Sequence, residues 1–193
     1  MLGTVIKGDR HLLSNIINNK VFKYEVSKII ILGIDPGTVI TGYGLLEHSG
    51  NKFKLLEYGT IRSMKGNDVA VRLNEIYTGV INLIEKFKPD HMAIEGLFFN
   101  KNVKTALEVG QARGVLMLAA YQKGVQVHEY TPLQVKQAVV GYGRAEKKQV
   151  QFMVKAILNI LEIPRPDDAA DALALAICHG HSVYSQLARR DLI

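Results

Sequence analysis

The hydrophobic and polar positions of the first part of the chain predict three strands. Ile29 to Ile34 form a short apolar run that ends at Asp35-Pro36-Gly37, which is typical of a buried strand leading into a turn. Thr41 to Glu47 and Phe53 to Arg62 are the next strand-like runs, and turn-forming residues, His48-Ser49-Gly50-Asn51, lie between them. We expect these two runs to pair as an antiparallel hairpin.

After the hairpin, the spacing of apolar residues lengthens to three and four positions, which predicts helices. Apolar residues recur in this way from Val69 to Phe87, and Pro89 ends that helix. The remaining elements alternate: strands at 91–95 and 125–130, and helices at 103–122, from Thr131-Pro132, at 145–161 and from about 167 to 187. This order predicts an α/β domain with a mixed five-stranded sheet flanked by helices, over residues 29–187.

The two ends of the chain and its single cysteine add little to the predicted fold, but they bear on its bounds and its expected compartment. Residues 1–28 show no clean period and are expected to be a flexible N-terminal extension, and residues 188–193 a short tail. Cys178 is the only cysteine, so no internal disulfide forms and a reducing compartment, the cytoplasm, is expected. No apolar run approaches the roughly 18 residues of a membrane span, so no membrane partner is expected.

The distribution of charge points to a polyanionic partner. The chain has 24 Lys and Arg against 18 Asp and Glu, a net charge of +6. Residues 97–165 contain ten basic and four acidic residues, so the whole excess lies in that stretch. Such a concentration is typical of a surface that binds nucleic acid, although a solvated helical face is the ordinary alternative.

Acidic residues lie at the ends of two predicted strands and at the start of one predicted helix. Asp35 and Glu95 follow strands that should be neighbours, and Asp168 and Asp171 open the last helix. Turn formation and helix capping explain Asp35 and Asp168 individually. Asp171, however, interrupts an alanine- and leucine-rich segment and should project on the same side as Asp168, so a packed helix would half-bury two carboxylates.

Such a group of carboxylates predicts metal-dependent hydrolysis. Clustered buried anions repel one another unless cations lie between them, and carboxylate oxygens suit Mg²⁺ or Mn²⁺. Phosphodiester hydrolysis is assisted by two divalent ions about 3.5–4 Å apart. Four carboxylates beside a basic stretch therefore predict a nuclease.

At these residues the sequence resembles the RuvC family of Holliday-junction resolvases. The resemblance runs from about residue 28 to residue 181, and five segments carry it in the family's order: IDPGTVITGYG (34–44), AIEGLFF (93–99), GQARGV (110–115), TPLQVKQAVVGYGRAEKKQVQFMV (131–154) and DAADALALAICH (168–179). It implies an RNase H-like fold, a homodimer and symmetric nicking of four-way DNA junctions in recombination and repair.

The resemblance also implies roles for individual residues. The family's catalytic and metal-binding carboxylates fall on Asp35, Glu95, Asp168 and Asp171, with Asp167 as the alternative register for Asp168. Two Mg²⁺ ions per site are expected, with Mn²⁺ as a substitute, and the RuvAB branch-migration complex is the expected partner. The residues expected to contact DNA are one aromatic and four basic side chains: Phe98, Lys136, Arg144, Lys147 and Lys148.

Three other functions are weighed against the resolvase. A nuclease of the pre-ribosomal RNA processing type shares the Asp-x-Gly turn but lacks the context around Asp168 and Asp171. An actin-like or sugar-kinase ATPase shares Asp35-Pro36-Gly37-Thr38, but needs a second domain for which 193 residues leave no room. A junction-binding protein without catalysis would gain nothing from carboxylates near phosphates.

Overall fold

The protein is seen here in a computed structural model that describes residues 28–64, 66–96 and 103–190. Within these residues the five predicted strands form one sheet. Their bounds are β1 Ile29–Asp35, β2 Ile40–Ser49, β3 Lys52–Arg62, β4 His91–Glu95 and β5 Gln126–Tyr130. The turn between β2 and β3 is only Gly50 and Asn51, because β2 extends through His48 and Ser49.

The sheet is mixed, with the order β3-β2-β1-β4-β5. The first three strands run antiparallel, whereas β4 and β5 are parallel to β1. Ile34 pairs with Ile94, so β1 and β4 finish side by side at one edge of the sheet. The prediction of a mixed five-stranded α/β sheet is therefore confirmed.

Five helices complete the described fold. They are α1 Val69–Phe87, α2 Val103–Gln122, α3 Pro132–Val140, α4 Lys147–Leu158 and α5 Asp167–Arg190. The helix predicted at 145–161 is shorter at both ends, because Glu146 caps its start and Asn159, with φ of 50°, ends it in the left-handed conformation. The last helix continues three residues beyond the predicted boundary at 187.

Alternation along the strands divides the core between the two faces of the sheet. Leu32 and Ile34 of β1 pack with helices α1 and α2, whereas Ile31 packs with α3, α4 and α5. Gly33 and Asp35 share the face of Ile31, because side chains alternate along a strand. The same alternation places His91, Ala93 and Glu95 of β4 on the α5 side.

Helix α5 is buried from Ala169 to Gly180, except at Asp171, because this segment is covered by the sheet and by α3 and α4. Every residue from Ala169 to Cys178 except Asp171 is small or aliphatic, and Ala172 and Ala176 are fully buried. Small side chains let the helix backbone approach the strands. The N-terminal end of α5 is thereby brought to the edge where β1 and β4 end.

Candidate active site at the ends of β1 and β4

Glycines on β1 and β2 determine how closely α5 approaches the sheet. A Cβ atom on Gly33 would lie 2.0 Å from the backbone oxygen of Ala172, and one on Gly42 would lie 2.0 Å from that of Asp168. Gly42 pairs with Asp35 across the β1–β2 ladder. The missing side chain at Gly42 therefore brings the first turn of α5 beside the carboxylate that ends β1.

Three of the four predicted carboxylates line one cavity. Asp35 ends β1, Glu95 ends β4 and Asp171 lies in the second turn of α5, and the cavity between them is also lined by Lys136 and Lys147. Three separate elements thus supply the acidic groups. The apolar part of the lining comes from helices α3, α4 and α5.

The fourth carboxylate, Asp168, is close enough to act on Asp35 electrostatically. Its charge is among those that raise the pKa of Asp35, whereas Asp167 is not. Asp167 instead accepts a hydrogen bond from Arg165 at 2.8 Å. The interaction with Asp35 thus favours Asp168 over the alternative Asp167, although neither residue lines the cavity itself.

The carboxylates strongly perturb one another. Burial raises the pKa of Asp35 to about 7, and the charges of Glu95, Asp171 and Asp168 add to this rise. Burial also raises the pKa of Glu95 and of Asp171 above their usual values. A raised pKa here means that burial and the neighbouring negative charges outweigh the stabilisation that Lys147 gives to the ionised carboxylates.

Lys147 is the cation that contacts this group. Its Nζ lies 2.8 Å from Oδ2 of Asp171 and 3.6 Å from Oδ2 of Asp167. Burial lowers the pKa of Lys147, but its bonds to these two carboxylates raise it above the usual value overall. A lysine in the first turn of a helix opposes the helix dipole, so its position at the start of α4 is explained by the carboxylates rather than by helix stability.

The other basic residues expected to contact DNA occupy different surroundings. Lys136 lies on α3, whose start is fixed by a capping box between Thr131 and Gln134, and it lines the same cavity. Arg144 and Lys148 are exposed, and Lys148 borders a surface groove. Phe98 lies outside the described residues.

Arg113 is a residue that sequence reasoning did not single out. Its Nε donates a hydrogen bond of 3.1 Å to the backbone oxygen of Glu95, and its guanidinium forms an ion pair with Glu129. Only 12% of this side chain is exposed. Arg113 thus ties α2 to the ends of β4 and β5. In the sequence, Arg113 could have been noticed as a charged residue next to small and apolar positions of the predicted helix, Ala112 and Leu116, which the structure shows to be buried.

The donor set fits hard divalent cations. The cavity offers carboxylate oxygens from three elements, and burial together with the neighbouring carboxylates raises the pKa of Asp35 in spite of Lys147. Mg²⁺ and Mn²⁺ prefer oxygen ligands of this kind. No helix among the described residues has the length and apolarity needed to cross a membrane.

Comparison with known proteins shows similarity over nearly the whole described chain. The family model of crossover junction endodeoxyribonuclease RuvC matches residues 31–179. The RuvC protein of Halothermothrix orenii is 60% identical over 154 residues, which cover 80% of this chain and 93% of the relative. That of Alkaliphilus metalliredigens is 56% identical over 158 residues, covering 82% and 96% of the two chains.

Solved structures give the same relationship. Thermus thermophilus RuvC in complex with a Holliday junction substrate superposes with a TM-score of 0.78 at 35% identity, covering 82% of this chain and 96% of that one. A second structure of Thermus thermophilus RuvC superposes with a TM-score of 0.75 at 36% identity and covers 83% of this chain and 97% of that one. The yeast mitochondrial Holliday junction resolvase Ydc2, at 16% identity and a TM-score of 0.53, shares the fold.

Proposed function

Because the chain belongs to the RuvC family of crossover junction endodeoxyribonucleases, we propose that Asp35, Glu95, Asp168 and Asp171 form its catalytic centre. The protein is a Holliday junction resolvase, an enzyme that hydrolyses phosphodiester bonds of DNA four-way junctions. The pre-ribosomal RNA nuclease and the catalytically silent junction binder are not favoured. The observation that carries the assignment of the centre is the cavity shared by Asp35, Glu95 and Asp171.

The carboxylates are proposed to hold divalent metal. Dependence on a divalent ion belongs to the family, and we assign Mg²⁺, two ions per site, with Mn²⁺ as a substitute. When bound, such ions activate water and stabilise the leaving oxygen of the phosphodiester. Asp35 ends a strand beside Glu95, so both carboxylates are held by rigid backbone rather than by a loop.

Lys147 has two roles in this proposal. Without metal, it neutralises Asp171 across 2.8 Å, which keeps the carboxylates together although they repel one another. When metal supplies the positive charge, the Lys147 ammonium is free to turn toward a DNA phosphate at the same cavity. Lys136 lines the cavity on the neighbouring helix and is proposed to bind an adjacent phosphate.

The remaining contacts with DNA lie further from the cavity. Arg144 and Lys148 are exposed and are proposed to bind phosphates of the junction arms. Phe98 is proposed to stack on an unpaired base near the junction centre, a contact worth about 1–3 kcal/mol.

The symmetry of the substrate supports a dimer. A four-way junction presents two equivalent strands, and an isologous dimer would present two cavities related by the same axis. We therefore propose a homodimer that makes two symmetric nicks and works with the RuvAB branch-migration complex in recombination and repair. We further propose that the enzyme acts in the cytoplasm.

The decisive experiment compares a synthetic four-way junction with linear duplex of the same sequence, both with Mg²⁺. We expect paired nicks at symmetric positions in the junction and little cutting of the duplex. Glu95→Gln removes a metal-binding charge but almost no volume, so it should abolish nicking while junction binding in a gel-shift assay persists. Equal cutting of duplex would contradict junction specificity, and nicking by Glu95→Gln would contradict the assigned centre.

A further inference from the structure

Three histidines meet on the same side of the sheet as the carboxylates but away from them. His91 begins β4, His128 lies in the middle of β5, and His179 comes from α5. The ring centroids of His91 and His128 are 5.1 Å apart, and those of His128 and His179 are 4.3 Å apart. We call these three residues the histidine cluster.

The cluster is separate from the catalytic carboxylates. His91 precedes Glu95 by four residues of an extended strand, a distance of about 13 Å at roughly 3.3 Å per residue. His179 follows Asp171 by eight residues of helix, about 12 Å at 1.5 Å per residue. Among the described residues, no histidine lines the cavity that holds Asp35 and Glu95.

The ring nitrogens converge. Each of the three side chains offers a nitrogen, and these nitrogens all lie within 4.8 Å of one another. Nδ1 of His91 and Nε2 of His179 are 2.7 Å apart, a hydrogen-bond distance. In a tetrahedral zinc site, with bonds of 2.0–2.1 Å, two ligand nitrogens are about 3.4 Å apart. Shifts of about an ångström in the side chains would therefore bring the three nitrogens around one ion.

The ring nitrogen of His179 that faces away from the other two histidines already has a hydrogen-bond partner. The hydroxyl of Tyr130 lies 2.7 Å from its Nδ1, which leaves Nε2 directed toward the cluster. Histidines that bind metal generally have their second nitrogen held by such a partner, because this fixes the ring and its tautomer. His179 is 1% exposed, so its ring is also held by packing.

His128 supplies the second observation. Its Nε2 is buried and has no hydrogen-bond partner among the described residues. Buried polar atoms without partners are rare in folded proteins, and each needs an explanation such as a missing ion. Burial also lowers the pKa of all three histidines, that of His179 to about 3, so the rings are neutral at pH 7, the form that binds metal.

We propose that the histidine cluster is a zinc site that joins β4, β5 and α5. Three imidazoles are a ligand set for Zn²⁺ and related transition ions, and the fourth position would be left for water. Mg²⁺ prefers oxygen ligands, so the two sites would select different metals. Since the three ligands come from separate elements, the ion would stabilise the folded chain by binding to it alone.

The test uses the full chain without a histidine tag, stripped of metal and then saturated with Mg²⁺. Co²⁺ serves as a visible substitute for Zn²⁺. We expect one Co²⁺ per chain with the intense absorption of tetrahedral coordination, displaced by Zn²⁺, and a rise in melting temperature on adding Zn²⁺. Both signals should be unchanged in Asp35→Asn, which alters only the carboxylates.

Variants within the cluster identify the ligands. His128→Phe keeps an aromatic ring but removes the nitrogen, so the cobalt absorption and the zinc-induced shift should both be lost. His181→Gln is the matched control, because His181 is an exposed histidine two residues beyond His179 on the same helix. Tyr130→Phe should weaken cobalt binding about 10- to 100-fold without abolishing it.

Two results would overturn the proposal. One is the absence of tetrahedral absorption in the unaltered protein at millimolar Co²⁺, which would make the cluster a hydrogen-bonded network of neutral rings. The other is absorption that survives His128→Phe. Circular dichroism of metal-free His128→Phe checks that this variant folds. If it does not fold, the affinity of Tyr130→Phe for Co²⁺ is the test instead. An affinity about 10- to 100-fold weaker than that of the unaltered protein supports the proposal, and an unchanged affinity contradicts it.

Discussion

Helix α5 brings together two groups of titratable side chains that differ in almost every physical respect. Near its N-terminus, Asp171 and Asp168 join Asp35 and Glu95, which are acidic and partly exposed to a cavity. Eight residues beyond Asp171, His179 joins the histidine cluster, which is neutral and closely packed. Among the described residues, Lys147 partly offsets the negative charge of the first group, whereas Nε2 of His128 in the second has no hydrogen-bond partner.

One helix can contribute to two different groups of side chains because the strands beneath it differ. The carboxylates lie where the parallel strands β1 and β4 end, and Gly42 lets α5 approach there. The histidines lie along β4 and β5, nearer the start of those strands, where His179 itself fills the space between helix and sheet. Hard oxygen ligands and imidazoles thereby remain apart.

The largest expected effect comes from breaking the acidic group alone. Asp35→Asn removes a charge with little change of shape. We expect junction cleavage to fall by about 10²- to 10³-fold or more, because a proposed metal-holding carboxylate is lost and with it the charge stabilisation that bound metal would supply. Rates of nicking under single-turnover conditions measure this. His128→Phe is the matched control and should retain cleavage with Mg²⁺. Equal losses in both variants would mean that the two groups are not independent.

The next effect is the pH dependence of stability. Asp35 has a pKa of about 7 in the folded protein against 3.8 ordinarily. Between these values the folded state holds a proton that the unfolded state has lost, so stability falls as pH rises from about 4 to about 7.

Asp35→Asn isolates this contribution. Without metal, the variant should be more stable than the unaltered protein above pH 7, by about 2–4 kcal/mol, and should match it near pH 4. Urea denaturation at both pH values measures the difference, and a difference independent of pH would contradict the assigned pKa. His128→Phe should not reproduce this pattern.

A smaller effect is expected from adding a side chain where α5 packs closely on the sheet. A methyl group at Gly42 would lie 2.0 Å from the backbone oxygen of Asp168, so Gly42→Ala should displace the start of α5 and cost about 1–3 kcal/mol together with activity. Gly114→Ala is the control, since nothing lies within 4 Å of its added Cβ, and it should stabilise α2 by about 0.5–1 kcal/mol. Thermal melting and nicking assays check both, and normal nicking by Gly42→Ala would show that the close approach is not needed.

The smallest effect concerns phosphate binding beside the carboxylates. Lys136→Ala should weaken junction binding and reduce the slope of log K against log salt by about 0.9, because one phosphate contact is lost. Lys54→Ala, at an exposed position of β3 distant from the cavity, is the control. Gel-shift titrations at several salt concentrations give the slopes. Equal slopes for the two variants would show that Lys136 does not contact a phosphate.

Much of the fold could be predicted from the sequence because its signals are local. The helix at 103–122 and the strand at 91–95 have the predicted bounds, since apolar periodicity and Pro89 act over a few residues. The ends of α4 were predicted less well, because Glu146 and Asn159 set them by backbone conformation rather than by polarity. The four carboxylates were identified from their places at element ends and from the family resemblance.

Other features depend on contacts between distant residues. Lys147 was expected to bind DNA, but nothing in its neighbourhood along the chain indicates that its Nζ would lie 2.8 Å from Asp171. Arg113 was one basic residue among ten until the fold brought it to the backbone of Glu95. His91 and His128 occur in unremarkable strands, and only the parallel pairing of β4 with β5 brings them within reach of His179.

The sequence by itself determined the order of elements, the concentration of positive charge and the acidic residues that end β1 and β4, because periodicity, composition and turn chemistry are properties of short segments. The tertiary structure decided which charges meet, how far the pKa of Asp35 rises and that three histidines converge. These depend on burial and on distances of a few ångströms between residues up to 136 positions apart, as for Asp35 and Asp171. Such distances are fixed only when α5 packs on the sheet.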